Sequence, residues 1–183
     1  NEMDTGGGVD ANSDENLPTT IVLYGVDYGD APISFGDATH LFSAAPSVFL
    51  GTKSPDGDSA TQLGSDAGLS ASGDDSDSDG DDEDGISFPA LTAGDTGYEI
   101  PVLNITASGT GTLHAWIDFD GNGVFESGEY SSTSVSDGVV GSALSWAGQN
   151  PVVAGTTFAR FRLTSDALSD DVSTADVDER ATV

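Results

Sequence analysis

Twelve residues, DFDGNGVFESGE from Asp118 to Glu129, contain the oxygen-bearing side chains best spaced for binding a cation. Counted from Asp118, an acid or amide falls at positions 1, 3 and 5, glycine at 6, and acids at 9 and 12. This is the spacing of an EF-hand calcium loop, in which the glycine permits the bend and the last glutamate supplies two oxygens. The predicted Ca²⁺ ligands are Asp118, Asp120, Asn122, the Val124 carbonyl, Glu126 and Glu129.

The segments that flank this loop lack the helices of an EF-hand. TLHAWIDF (112–119) alternates apolar and polar residues, which is typical of a strand with one buried face, and YSSTSVS (130–136) is no helix former. We therefore expect a calcium-binding turn between two strands. The alternative is an ordinary hairpin turn rich in Asp, Asn and Gly, which needs no ion.

A second acidic segment, GDDSDSDGDDEDG at 73–85, could bind cations in another way. A loop that starts at Asp75 fails at its twelfth position, because Ile86 offers no ligand. The acids could instead share several Ca²⁺ ions, or the segment could be solvated and disordered. The shared cluster would consist of Asp74, Asp75, Asp77, Asp79, Asp81, Asp82, Glu83 and Asp84. Asp27 and Asp30, in DYGDAP, form a third candidate site.

The charge of the chain limits its partners. Thirty-two Asp and Glu residues face four Lys and Arg, for a formal net charge of −28 at pH 7. Such a chain repels itself unless cations neutralise part of the charge. Direct binding of nucleic acid or of an anionic membrane surface is excluded, because both require a basic patch. The sequence has no Cys, so thiolate-bound zinc, iron–sulfur clusters and disulfides are excluded as well.

The sequence shows no signature of catalysis. His40 and His114 lie in unrelated contexts, and the HExxH, P-loop and nucleophile-elbow patterns are absent. Pairs of acids like those of glycosidases are expected by chance among 32 acidic residues, so they carry no information. We expect a domain that is not an enzyme.

Short segments rich in β-branched and aromatic residues predict an all-β fold, an antiparallel β-sandwich with long calcium-organised loops. On 156–164, Arg160 and Arg162 share one face and could neutralise an acidic cluster or bind a ligand carboxylate. Residues 1–17 are expected to form a linker or flexible arm, and 18–183 a single ligand-binding domain. The predicted strands are 19–25, 47–51, 98–106, 112–119, 139–146, 156–164 and 176–183.

No segment of the sequence approaches the roughly 20 apolar residues of a membrane-spanning helix. Residues 1–16 have neither the basic n-region nor the apolar h-region of a signal peptide. We interpret the chain as a piece of a longer polypeptide.

Several motifs, in order, resemble the GEVED-type domain of large bacterial surface proteins, and the resemblance spans 24–183. The family's closing Gly-Glu-Val-Glu-Asp-Tyr corresponds to ADVDER (175–180), which keeps the acids but has Ala and Arg where the family has Gly and Tyr. The motifs are DYGDAP (27–32), LG (50–51), GDDSDSDGDDEDGISFP (73–89), AWIDFDGNGVF (115–125) and ARFRLT (159–164).

The resemblance implies a calcium-binding β-sandwich in an extracellular or cell-surface protein, with metal at 73–85. The chain is similar to the calcium-dependent peptide-binding modules of RTX-type adhesins. The expected partner is thus a peptide or protein on a host or neighbouring cell, bound by a monomeric module of a larger protein. Two alternatives remain open: a calcium-stiffened structural spacer, and a calcium-dependent carbohydrate-binding module.

Overall fold

The computed structural model describes residues 24–28, 32–36, 39–43, 46–54, 85–165 and 180–182. These residues form strands and short 3₁₀ turns, with no α-helix among them. The 3₁₀ turns are Ile33–Phe35, Val102–Asn104 and Ser127–Glu129. The strands are β1 Tyr24–Tyr28, β2 Thr39–Ser43, β3 Phe49–Leu50, β4 Gly97–Ile100, β5 Ala107–Ser108, β6 Gly111–Ile117, β7 Tyr130–Ser136, β8 Val139–Val140, β9 Leu144–Ala147, β10 Ala159–Thr164 and β11 Arg180–Thr182.

The central sheet has the order β10-β6-β7-β8, and all its pairs are antiparallel. The β4–β9 pair contributes to the same hydrophobic core, so that two layers of strands enclose it. This arrangement is β-sandwich-like and confirms the predicted fold class. The most deeply buried members of the core are Ile100, Leu113, Ala115, Phe119 and Leu144.

Strand β6 is buried on both faces, and it leads directly into the acidic turn. Leu113, Ala115 and Ile117 point into the main core. Trp116 points to the opposite face, where it joins a second cluster with Phe35 and Phe125. Because packing on both sides fixes the end of β6, the first residues of the turn start from a rigid position.

Two predicted strands are interrupted. The segment 98–106 ends as a strand at Ile100, because Pro101 has no N–H to donate to a ladder and the chain continues as a 3₁₀ turn. The segment 139–146 divides into β8 and β9, with Gly141 between them. The predictions for 112–119 and 156–164 are confirmed by β6 and β10.

One strand pair departs from the predicted antiparallel pattern. Strand β11 lies parallel to β2, with Arg180 opposite Thr39. Strands this far apart in sequence are not joined by a hairpin, so either direction is available to them. The predicted arm at 1–17 and the acidic segment at 74–84 lie outside the described residues. The domain boundaries therefore stay predictions.

Candidate metal centre

The acidic turn connects the end of β6 at Ile117 to the start of β7 at Tyr130. It reverses direction at Gly121 and Gly123, whose φ angles are +70° and +86°. Glycine adopts this left-handed region without the steric penalty that a Cβ would bring. The predicted turn between two strands is therefore confirmed, and Gly123 stands at the bend that the spacing predicted.

Asp118 organises the first half of the turn from a buried position, with 2% of its surface exposed. Its Oδ1 accepts hydrogen bonds from the N–H groups of Gly121 (2.7 Å) and Asn122 (3.1 Å), and its Oδ2 accepts one from Gly123 (3.0 Å). Hydrogen bonds to an ionised carboxylate are stronger than neutral ones. The side chain at position 1 thus shapes the loop that surrounds it.

The acids and amides at the third and fifth positions continue this pattern. Asp120 Oδ1 accepts a hydrogen bond from Asn122 N–H (3.1 Å), and Asn122 Oδ1 accepts one from Val124 N–H (2.9 Å). Each bond closes a small ring that turns the backbone around the centre of the loop. Asp120 is half-buried, whereas Asn122 is exposed.

Glu129 closes the loop and is 3% exposed. Its Oε1 accepts a hydrogen bond from Phe119 N–H (2.7 Å), and its Oε2 accepts one from Glu126 N–H (3.1 Å). Phe119 lies between two of the acids but points into the core, where it is 1% exposed. One carboxylate therefore joins the last position of the loop to its beginning.

The result is a cluster of three carboxylates. Asp118, Asp120 and Glu129 each place one oxygen so that the three oxygens lie within 4.8 Å of one another. Calcium binds oxygen at about 2.3–2.6 Å, so two oxygens on one ion lie at most about 5.2 Å apart. The cluster therefore fits a hard divalent cation both in donor type and in spacing.

The other three predicted ligands lie in the same turn, but Glu126 does not belong to the carboxylate cluster. Its side chain is exposed, as is that of Asn122. Val124, which would offer its carbonyl, is 42% exposed. The structure thus buries Asp118 and Glu129, leaves Asp120 half-buried and places the other three predicted ligands at the surface.

The buried carboxylates repel one another. Burial raises the pKa of Glu129, and the nearby Asp118 and Asp120 raise it further, whereas hydrogen bonds from the backbone of Glu126 and Phe119 lower it. A divalent cation at the cluster would remove both the repulsion and part of the desolvation cost. The electrostatics therefore favour a bound cation at neutral pH.

The raised pKa of Glu129 predicts how the metal-free protein responds to pH. Because its pKa is higher in the folded state, Glu129 contributes stability fully below its ordinary pKa of 4.5, and this contribution is lost as pH rises through the folded pKa. In chelator, the melting temperature of the wild type should fall more steeply between pH 4 and 7 than that of Glu129→Gln. Equal slopes would contradict the prediction, and differential scanning calorimetry measures both.

The remaining predicted ligands stay untested. Asp27 lies on β1 opposite His40 in the strand register. Asp30 and the eight acids from Asp74 to Asp84 lie outside the described residues. The hypotheses of a shared cluster and of a third site therefore remain predictions.

Three side chains that sequence reasoning missed contact the acidic turn. Trp146 Nε1 donates to the Glu129 carbonyl (2.7 Å), Asn150 Nδ2 donates to Asp120 Oδ2 (3.1 Å), and the Thr157 hydroxyl donates to the Asp118 carbonyl. Each lies 17 or more residues from its acceptor. No local spacing could have revealed them, because they meet the turn only through the fold.

The two arginines of β10 share one face, as predicted, and both are buried. Arg160 donates to the carbonyls of Phe35 (2.9 Å) and Gly36 (2.8 Å), and its guanidinium carbon lies 5.3 Å from the centre of the Phe125 ring. Arg162 lies opposite His114 in the register. The pKa of His114 is lowered by burial and then by the charge of Arg162. Arg160 thus holds the backbone of residues 35 and 36 beside Phe125 in the second cluster.

These features define a class of protein: an all-β domain in which an acidic turn connects two neighbouring strands of the central sheet, with carboxylates spaced to fit a cation. Residues 112–180 match the family model described as the GEVED domain, which is consistent with a GEVED-type domain over this part of the chain. The match begins in β6 and includes the whole acidic turn, and it confirms the resemblance over this region. No curated protein and no solved structure shows significant similarity to the chain.

Within the described residues, no helix has the length and apolar character needed to cross a membrane.

Proposed function

We propose that this chain is a calcium-dependent ligand-binding domain of a secreted bacterial surface adhesin, and that it binds peptides or proteins rather than catalysing a reaction. One observation carries the proposal: three carboxylates from a loop with EF-hand spacing converge within 4.8 Å. Carboxylate oxygens are the donors that calcium prefers over softer ligands. The GEVED match supports the proposal, because the resemblance implies a calcium-binding surface domain.

The net charge of the chain limits how a peptide can bind to it. A chain with a net charge of −28 repels an acidic peptide, unless a bound cation attracts the peptide's carboxylate. Calcium takes six to eight oxygens, so positions not filled by the protein can accept a ligand carboxylate. Asp118 and Glu129 would hold such an ion from the buried side, while Asp120 and Asn122 lie nearer the surface. We therefore propose that a peptide carboxylate binds at the exposed side of the turn.

A structural spacer is the second candidate, and one observation favours it. Asp118 and Glu129 are 2% and 3% exposed, and the turn they organise connects two strands of the central sheet. An ion held so deeply could stiffen the domain without contacting a ligand. The two candidates share the metal site and differ only in whether anything binds to it from outside.

The test is binding to an array of short peptides, each with a free and with an amidated C-terminus. The measurement is made in calcium and in chelator, with the wild type and with Glu129→Gln. We expect binding that needs calcium, the free carboxylate and the intact turn together. Glu99→Gln is the matched control, because it removes an exposed charge on β4 outside the turn.

The outcomes separate the candidates. Binding that survives amidation would contradict recognition of a C-terminal carboxylate. No binding across the array, together with a calcium-dependent melting temperature, would favour the spacer or a sugar ligand, and a glycan array would then distinguish these two.

A further inference from the structure

The connection between β9 and β10, residues 148–158, contacts the acidic turn at several points. Asp118 N–H donates to the Phe158 carbonyl (3.0 Å), and Val153 N–H donates to the Phe119 carbonyl (2.9 Å). Val152 is buried in the main core, to which Phe119 also belongs. Backbone hydrogen bonds and the packing of Val152 therefore hold the connection in place.

Side chains on or next to this connection contact every member of the carboxylate cluster. Asn150 donates to the Asp120 carboxylate, Thr157 donates to the Asp118 carbonyl, and Trp146, at the end of β9, donates to the Glu129 carbonyl. The three donors are neutral, so they add no cation that would compete with a metal ion. Each restricts the movement of one residue of the cluster.

Asn150 acts on the member of the cluster that most needs support. Asp120 is the most exposed of the three acids, and its carboxylate receives one bond on each oxygen, from Asn122 and from Asn150. Without Asn150, only the bond from Asn122 would orient the Asp120 carboxylate, so the carboxylate would rotate more freely. Groups that orient metal ligands in this way typically change metal affinity by about 10–100-fold.

We propose that the β9–β10 connection is part of the metal centre, and that Asn150 and Thr157 are positioning residues that set its affinity for a divalent cation. This inference rests on the proposed calcium site at 118–129. It extends that site beyond the twelve-residue loop. The loop alone, without the connection, would hold its carboxylates less rigidly.

Calcium titration calorimetry of the full chain tests the proposal. The relevant signal is the binding component that Glu129→Gln lacks, which separates this site from any other. We expect Asn150→Ala to weaken this component about tenfold, since a neutral, exposed donor belongs at the low end of the range. Thr157→Val should weaken it too, and Thr157→Ser, which keeps the hydroxyl, should restore it.

Asn104→Ala is the matched control. Asn104 also donates from its amide to a single partner, the Ser87 carbonyl (2.8 Å), but away from the turn. In chelator, the melting temperatures of Asn150→Ala and Asn104→Ala should be similar, whereas only Asn150→Ala should lose calcium affinity.

Wild-type affinity in both Asn150→Ala and Thr157→Val would overturn the inference and leave the calcium site standing. If the wild type itself has no binding component that Glu129→Gln lacks, the proposed site fails, and the inference fails with it. The two failures are distinguishable, because in the first the wild type still shows the binding component that Glu129→Gln lacks, and in the second it does not.

Discussion

Replacing Glu129 with glutamine should abolish the stabilisation that calcium gives this domain through the acidic turn. Extracellular calcium modules bind with dissociation constants of about 10⁻⁴–10⁻³ M, so about 10 mM calcium should stabilise the wild type by roughly 1.4–2.7 kcal/mol. Glutamine keeps the shape of the side chain but loses the charge and one acceptor oxygen. The melting temperature of Glu129→Gln should therefore rise less with calcium than that of the wild type, by the share that this site supplies.

The melting temperature in chelator separates a loss of calcium binding from a general loss of stability. Burial and two neighbouring carboxylates raise the pKa of Glu129, so removing its charge relieves a cost in chelator. The loss of a hydrogen bond from Phe119 or Glu126 opposes that gain. In chelator the variant should therefore melt close to the wild type, and the two should separate only when calcium is added. Glu99→Gln should respond to calcium as the wild type does. A full calcium response in Glu129→Gln would contradict the prediction.

Truncating Phe119 to alanine should have the second large effect. The Phe119 side chain is 1% exposed and packs against Tyr98 and Trp146, with ring centroids 6.2 and 5.9 Å away. Emptying such a site costs about 3–5 kcal/mol. This exceeds the roughly 1.4–2.7 kcal/mol expected from 10 mM calcium, so calcium should not restore wild-type stability. Chemical denaturation in chelator and in calcium measures both the cost of the truncation and the stabilisation by calcium.

Phe88→Ala is the control for this truncation. Phe88 is 56% exposed and contacts the Phe161 ring edge-on at 5.6 Å. Its loss should cost less than about 1.5 kcal/mol, because little apolar surface is returned to water. If Phe119→Ala were no more destabilising than Phe88→Ala, Phe119 would not link the acidic turn to the core.

The local features of this site were predictable from the sequence. Alternation along 112–119 predicted β6, because a strand with a buried face repeats every two residues. The spacing from Asp118 to Glu129 predicted the turn, because the hydrogen bonds from Gly121 and Gly123 to Asp118 span only three and five residues. The interaction of Glu129 with Phe119 also lies within the loop. Short sequence separations leave a pattern that spacing can reveal.

The contacts made across the fold left no such pattern. Asn150 and Thr157 meet the turn only because the pairing of β10 with β6 brings the β9–β10 connection beside the turn. Trp146 is 3% exposed and donates to the Glu129 carbonyl, 17 residues away in the sequence. The parallel pairing of β11 with β2 was missed for the same reason, since register between distant strands depends on tertiary packing.

The most direct test of the calcium site is a crystal structure of the domain grown in excess calcium, with the ion located by its anomalous scattering. The account predicts an ion bonded to oxygens of Asp118, Asp120 and Glu129 at about 2.3–2.6 Å, with Asn150 still bonded to Asp120. An ordered turn with no ion among these three carboxylates, in crystals saturated with calcium, would contradict it.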